Sequence, residues 1–160
     1  VAALLAAVCA FVAVPGAARA AGGEAELQPA GNDIDNIASL QRGARNFMNY
    51  CSGCHSAQYV RYNRVAEDLG IPEETLIANL MFTGERPFDT IGSAMSAEDG
   101  RRWFGNAPPD LSLIARSRGP DYLYTFLRSF YVDPTKTNGT NNLVLPGTAM
   151  PHVLASLQGL

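Results

Sequence analysis

Cys51-Ser52-Gly53-Cys54-His55 restricts this chain more than any other stretch of it. Two thiols three residues apart on a helical turn each form a thioether to one vinyl group of a haem, and the adjacent histidine then faces the iron from the same side. Paired cysteines at this spacing also occur in redox disulfides and zinc sites. A zinc site needs two more ligands, yet the only other cysteine is Cys9 and the only other histidine is His152. A thioredoxin-like site requires alternating strand and helix patterns, which are absent. The pattern therefore points to one haem c, covalent through Cys51 and Cys54, with His55 as an iron ligand.

His55 leaves the sixth iron position to be filled from Met48, Met81, Met95, Met150 or His152. Met48 precedes the motif on the same helix and cannot reach the opposite face. Met81 reads as core filler at the end of an amphipathic helix, and Met95 lies in a Ser/Gly-rich loop. Met150 sits in Leu145-Pro146-Gly147-Thr148-Ala149-Met150-Pro151, whose proline and glycine flanks make a stiff loop able to present a side chain to a flat cofactor. A thioether ligand also favours ferrous iron and a raised potential. Met150 is the expected ligand and His152 its rival.

The chain opens on Val1, not Met, with an uncharged apolar run to Val14, then Pro15-Gly16 and Ala18-Arg19-Ala20. This is the core and cleavage site of a secretory signal whose charged leader is missing, so residues 1–20 are expected to be an incomplete signal peptide that takes Cys9 with it. A periplasmic location follows, which suits haem attachment outside the bacterial cytoplasm. No run of 18 apolar residues is present to span a membrane. The formal net charge of −3 argues against a nucleic-acid binder, and 47% hydrophobic residues are enough for a core.

Residues 21–38 read as an extended arm, followed by a haem domain over 39–160. The periodicity predicts helices from Ser39 to Tyr50 with Leu40, Ala44 and Phe47 on one face, from Pro72 to about Phe82, from a Ser96 cap to about Phe104, from Pro108-Pro109 to Gly119 with Leu111, Ile114 and Ala115 inward, and from Pro120 to about Tyr131. Gly43 suggests a close approach by another helix. Gly84–Gly92 and Asp133–Asn142 read as loops. The fold class is mainly α with long connections, that of a c-type cytochrome haem domain of class I type.

Arg42-Gly43, the stretch from Asn49 to Ser56, Tyr59, and Arg61-Tyr62-Asn63-Arg64 resemble the haem-binding end of the cytochrome c1 family. Ala107-Pro108-Pro109-Asp110-Leu111-Ser112 through Gly119, continuing into Asp121–Arg128, is similar to that family's second block, and Ala149-Met150-Pro151 to its axial-methionine segment. The second block is far more specific than the haem motif, which all c-type cytochromes share. The resemblance implies a subunit of the cytochrome bc1 (ubiquinol–cytochrome c reductase) complex, with cytochrome b and the Rieske iron–sulfur protein as partners and a cytochrome c as electron acceptor. It further implies Arg118 and Tyr122 against the haem and its propionates, and Pro109 against the face of His55. Read from the residues alone, these are a helix-end cation, a core aromatic and a helix opener. Family members carry a further helix that packs on the motif-bearing helix, then a membrane anchor, so the sequence reads as a fragment at its C-terminal end too. Two other readings compete: a free periplasmic carrier, usually shorter between His and Met, and a haem enzyme, which needs an open iron position and a distal acid or base.

Overall fold

The computed structural model describes residues 25–159, so the expected signal peptide lies outside the described residues. Helix α1 spans Ile37–Tyr50 and starts ahead of the expected Ser39, because the Asn36 side chain accepts from the Ser39 N–H (3.1 Å) and caps the first turn. Its apolar face meets α2 (Tyr62–Leu69), α3 (Glu73–Asn79) and the ribbon formed by β1 (Ala57–Arg61) and β2 (Thr90–Ile91). Met48, Ala57, Tyr62, Ala66, Leu76, Leu80 and Ile91 form the core at this junction.

Tyr62 is 0% exposed. Its hydroxyl lies 2.7 Å from Thr83 Oγ1, and Thr83 in turn donates to the Gly92 carbonyl (3.1 Å). Thr83 has spent its one proton on Gly92, so Tyr62 is the donor to Thr83. A buried phenol is thus satisfied, and the loop that returns the chain from α3 to β2 is tied to the core.

Helix α4 covers Ala97–Phe104, and Ser96 accepts from the Asp99 N–H (3.0 Å) as its cap. Beyond it the structure departs from the expected helix at Pro108-Pro109. Only Ile114–Arg118 is helical (α5), Ile114 is half-buried and Ala115 exposed. Adjacent prolines lack N–H groups and push the residue before them into extended backbone. The segment instead runs beside Ser56–Tyr59, with the Leu111 N–H donating to the Ser56 carbonyl (2.7 Å).

Helix α6 spans Pro120–Arg128, short of the expected Tyr131, since Phe130–Val132 (β3) pairs antiparallel with Thr140–Asn142 (β4). The expected Asp133–Asn142 loop is therefore the turn and second strand of a hairpin. A short helix α7 covers Ala155–Gln158. The helix from Pro72 is also shorter than expected, because Leu80 turns into the core. Residues 25–36 hold no helix or strand and lie along α6, with the Gln28 N–H donating to Thr125 Oγ1 and the Ala30 N–H to Asp121 Oδ1, both at 2.8 Å. Gly43 is exposed, and a Cβ there would meet nothing within 4 Å, so among the described residues no helix approaches it. No helix of the described residues is long and apolar enough to cross a membrane.

Candidate haem-attachment site

The motif continues α1 by one more turn. The Cys51 N–H donates to the Phe47 carbonyl (2.9 Å), and the N–H groups of Cys54 and His55 both donate to the Cys51 carbonyl (3.0 and 2.8 Å). Both thiols are thereby carried on one turn, half-buried and free. Burial, and for Cys51 also the neighbouring Cys54, pushes both thiols above their ordinary pKa.

His55 Nδ1 lies 2.8 Å from the Pro109 carbonyl oxygen. A carbonyl only accepts, so Nδ1 carries the proton and Nε2 the lone pair. This is how a ligating imidazole is ordinarily oriented: one nitrogen donates to a backbone carbonyl while the other faces a metal. The contact from Pro109 is thus through its carbonyl, at the edge of the ring.

Three elements hold that geometry. The Pro109–Ser112 segment is docked on the residues after the motif: Asp110 Oδ2 accepts from Ser56 Oγ (2.7 Å) and the Gln58 N–H (2.8 Å), Asp110 Oδ1 accepts from the Ser112 N–H (2.9 Å), and the Tyr59 N–H donates to Ser112 Oγ (3.0 Å). Burial alone would raise the Asp110 carboxyl, but the bonds from Ser112, Ser56 and Gln58 outweigh it and hold the group well below the usual carboxylate range. On the other side, the N–H groups of Ala94 and Met95 donate to the carbonyls of Ser52 (3.1 Å) and Gly53 (3.0 Å), inside the motif itself. Finally, α4 seats the double proline. A Cβ on Gly100 would stand 2.6 Å from Pro108 Cδ and 3.2 Å from Ala107 Cα, so only glycine permits this approach without movement.

Arg118 and Tyr122 begin a file of stacked rings. The Arg118 guanidinium lies 5.4 Å from the Tyr122 ring centre, Tyr122 is parallel to Phe126 (6.3 Å), Phe126 meets Phe130 edge-on (5.3 Å), and Phe130 stacks on His152 (4.9 Å). This file runs from α5 to the residues beside Met150. Met150 itself is half-buried, on a loop tied to the β3–β4 hairpin by Asn138, Asn141 and Asn142. His152 is committed elsewhere. Its Nε2 is 3.2 Å from the Gly159 carbonyl and so must be the donor, while Nδ1 is buried without a hydrogen-bond partner.

The structure thus brings Cys51, Cys54, His55 and Pro109 together, and sets Arg118 with Tyr122. Sequence reasoning passed over Asp110, Gly100, Asn142 and the aromatic file. Only the last had a visible signal, the four-residue spacing of Arg118, Tyr122, Phe126 and Phe130.

Two half-buried free thiols beside an imidazole whose Nε2 lone pair is left open fit a covalent haem, and these residues define a c-type cytochrome. The family model described as the Cytochrome C1 family matches residues 32–157, and the cytochrome c1 of Allochromatium vinosum is 54% identical over 145 residues, covering 91% of this chain and 59% of that protein. The chain belongs to the cytochrome c1 family, is a mainly α haem domain, and binds haem c covalently through Cys51 and Cys54. It is also 45% identical over 150 residues to the ammonia monooxygenase gamma subunit of Nitrosomonas europaea, covering 94% of this chain and 64% of that one. The cytochrome c1 of Rhodospirillum rubrum is 36% identical over 117 residues, covering 59% of this chain and 41% of that one. The chain spans about three fifths of the length of the first two relatives.

Proposed function

We propose that this chain is the haem-bearing part of the electron-transfer subunit of a respiratory bc1 complex. It takes electrons from a Rieske iron–sulfur protein and passes them to a cytochrome c, with cytochrome b as its neighbour in the membrane. The observation that carries the reading is the His55–Pro109 hydrogen bond beside the two thiols, in a chain of the cytochrome c1 family. When bound, the haem supplies reversible one-electron storage.

The residues of the chain divide the remaining work. Cys51 and Cys54 hold the macrocycle, and His55 offers Nε2 from the side of the motif. The Pro109 carbonyl keeps the imidazole in one tautomer and one orientation, so little rearrangement accompanies a change of charge at the site. Met150 would supply the second iron ligand. Its sulfur favours the ferrous state, as acceptance from a high-potential iron–sulfur donor requires. The engagement of His152 with Phe130 and Gly159 supports Met150 over it. Arg118 and Tyr122 would hold the haem propionates, since a guanidinium pairs with carboxylates. The domain works on the periplasmic side of the bacterial inner membrane, associated with that membrane and exported by the signal in residues 1–20.

Purification of the natural protein from detergent-solubilised membranes tests this. Cytochrome b and a Rieske protein are expected in equal amounts with it, and its haem is expected to be reduced by ubiquinol and reoxidised by cytochrome c. Recovery of the haem protein alone in the periplasmic fraction, with no quinol-dependent reduction in membranes, would refute the assignment in favour of a free carrier.

A further inference from the structure

Asn142 is 0% exposed and every polar atom of its side chain is used. Its Oδ1 accepts from the N–H groups of Val144 (2.9 Å) and Leu145 (3.1 Å), and its Nδ2 donates to the Phe126 carbonyl (2.7 Å). That carbonyl belongs to the last turn of α6 and also accepts from the Ser129 N–H (3.3 Å). One side-chain amide therefore joins the end of the helix carrying Tyr122 and Phe126 to the start of the loop carrying Met150, beside the backbone bond from the Leu143 N–H to the Ser129 carbonyl (3.1 Å).

The rest of the loop is held from the same strand and its turn. Asn141 Oδ1 accepts from the Gly147 N–H (2.8 Å), and Asn138 Nδ2 donates to the Ala149 carbonyl (3.4 Å). Gly147 has φ +78°, a conformation that side-chain-bearing residues rarely adopt, so this turn depends on glycine. Met150 lies three residues beyond the last of the backbone N–H groups pinned in this way. Only Asn142, among the three asparagines, is fully buried and anchored on another element.

We propose that Asn142 is a positioning residue for the axial sulfur: it sets the height of the Met150 loop against α6 and keeps the Met150 thioether on the iron. The proposal rests on the reading of Met150 as the second axial ligand. Losing the amide leaves the buried N–H of Val144 and the part-buried N–H of Leu145 unpaired, and the loop relieves this by moving outward to water, taking Met150 with it.

The test uses haem-loaded full-length protein carrying Asn142→Ala, with Asn142→Ser, whose hydroxyl is too short to span Phe126 and the loop, deciding the matter if the alanine variant does not accumulate. Val144→Ala is the control, since Val144 is a buried neighbour with no polar side-chain role. The expected result is a loss of the sulfur-to-iron band of the ferric protein and a carbon monoxide-binding fraction raised roughly tenfold or more, as follows from stranding the buried Val144 donor together with the part-buried Leu145 donor. The haem stays covalently attached, and Val144→Ala keeps the band even where it lowers the melting temperature as much. A variant at Asn142 that folds, keeps the band and stays closed to carbon monoxide overturns the proposal. Met150→Leu in the same assays separates the two levels: if it keeps the band, the ligand assignment is wrong; if it alone loses the band, only the role of Asn142 is.

Discussion

Replacing Asp110 by alanine removes three hydrogen bonds that dock the double-proline segment on the residues after the motif: those from Ser56 Oγ, the Gln58 N–H and the Ser112 N–H. At roughly 1 kcal/mol each, and discounted because the carboxylate is exposed to solvent, they contribute about 2 kcal/mol. For a domain of this size that is a fall in melting temperature of roughly 8 °C. The pH dependence has a definite sign. The hydrogen bonds hold the folded carboxyl below its unfolded value despite the opposing effect of burial. The folded state therefore binds fewer protons than the unfolded chain in acid, so this stabilisation is complete above the unfolded value near pH 4 and is lost as the pH falls towards the folded one. Urea unfolding of the haem-loaded protein at pH 7 and pH 3 checks both points. Asp110→Ala is expected to be less stable at pH 7 and closer to wild type at pH 3, and Asp110→Asn to lack the acid-side loss that Asp110 brings to the wild type. If Asp110→Ala lies within about 0.5 kcal/mol of wild type at pH 7, and all three proteins lose stability in parallel on acidification, the docking role is refuted.

Cys51→Ala combined with Cys54→Ala is expected to abolish covalent haem, read as colour lost to acidic acetone, whereas the wild type retains it. Met150→Leu is expected to remove the sulfur-to-iron band, lower the reduction potential and admit carbon monoxide, while His152→Ala leaves all three unchanged; the reverse pattern would make the haem bis-histidine. Gly100→Ala puts a methyl against a rigid proline ring, with an expected loss of about 1–3 kcal/mol and a shifted potential through Pro109 and His55, measured by denaturation and redox titration. Tyr62→Phe deprives Thr83 of its buried donor, and chemical denaturation should show a loss of about 1 kcal/mol.

Local chemistry was legible in the residues themselves. Haem attachment, the cap at Ser96 and the helix opening at Pro120 all rest on groups close together in the chain, and the structure has Ser96 accepting from Asp99 and α6 beginning at Pro120. The hairpin of Phe130–Val132 with Thr140–Asn142 was not legible, because three-residue strands are too short to display an alternating pattern. Pro108-Pro109 was misread because proline suits both a helix start and an extended segment. The choice was made by the carbonyl of Ser56 and the imidazole of His55, more than fifty residues earlier in sequence. Asn142 and Gly100 look ordinary in sequence. One matters because its amide is buried between a helix end and a loop, the other because a proline ring occupies the space of its missing side chain. Covalent attachment at Cys51 and Cys54 could be read from residues 51–55 alone, since that chemistry needs only five adjacent residues. Tertiary structure alone decided which way the imidazole faces and what holds it there, because those forces come from carbonyls, carboxylates and rings that meet only when distant segments pack.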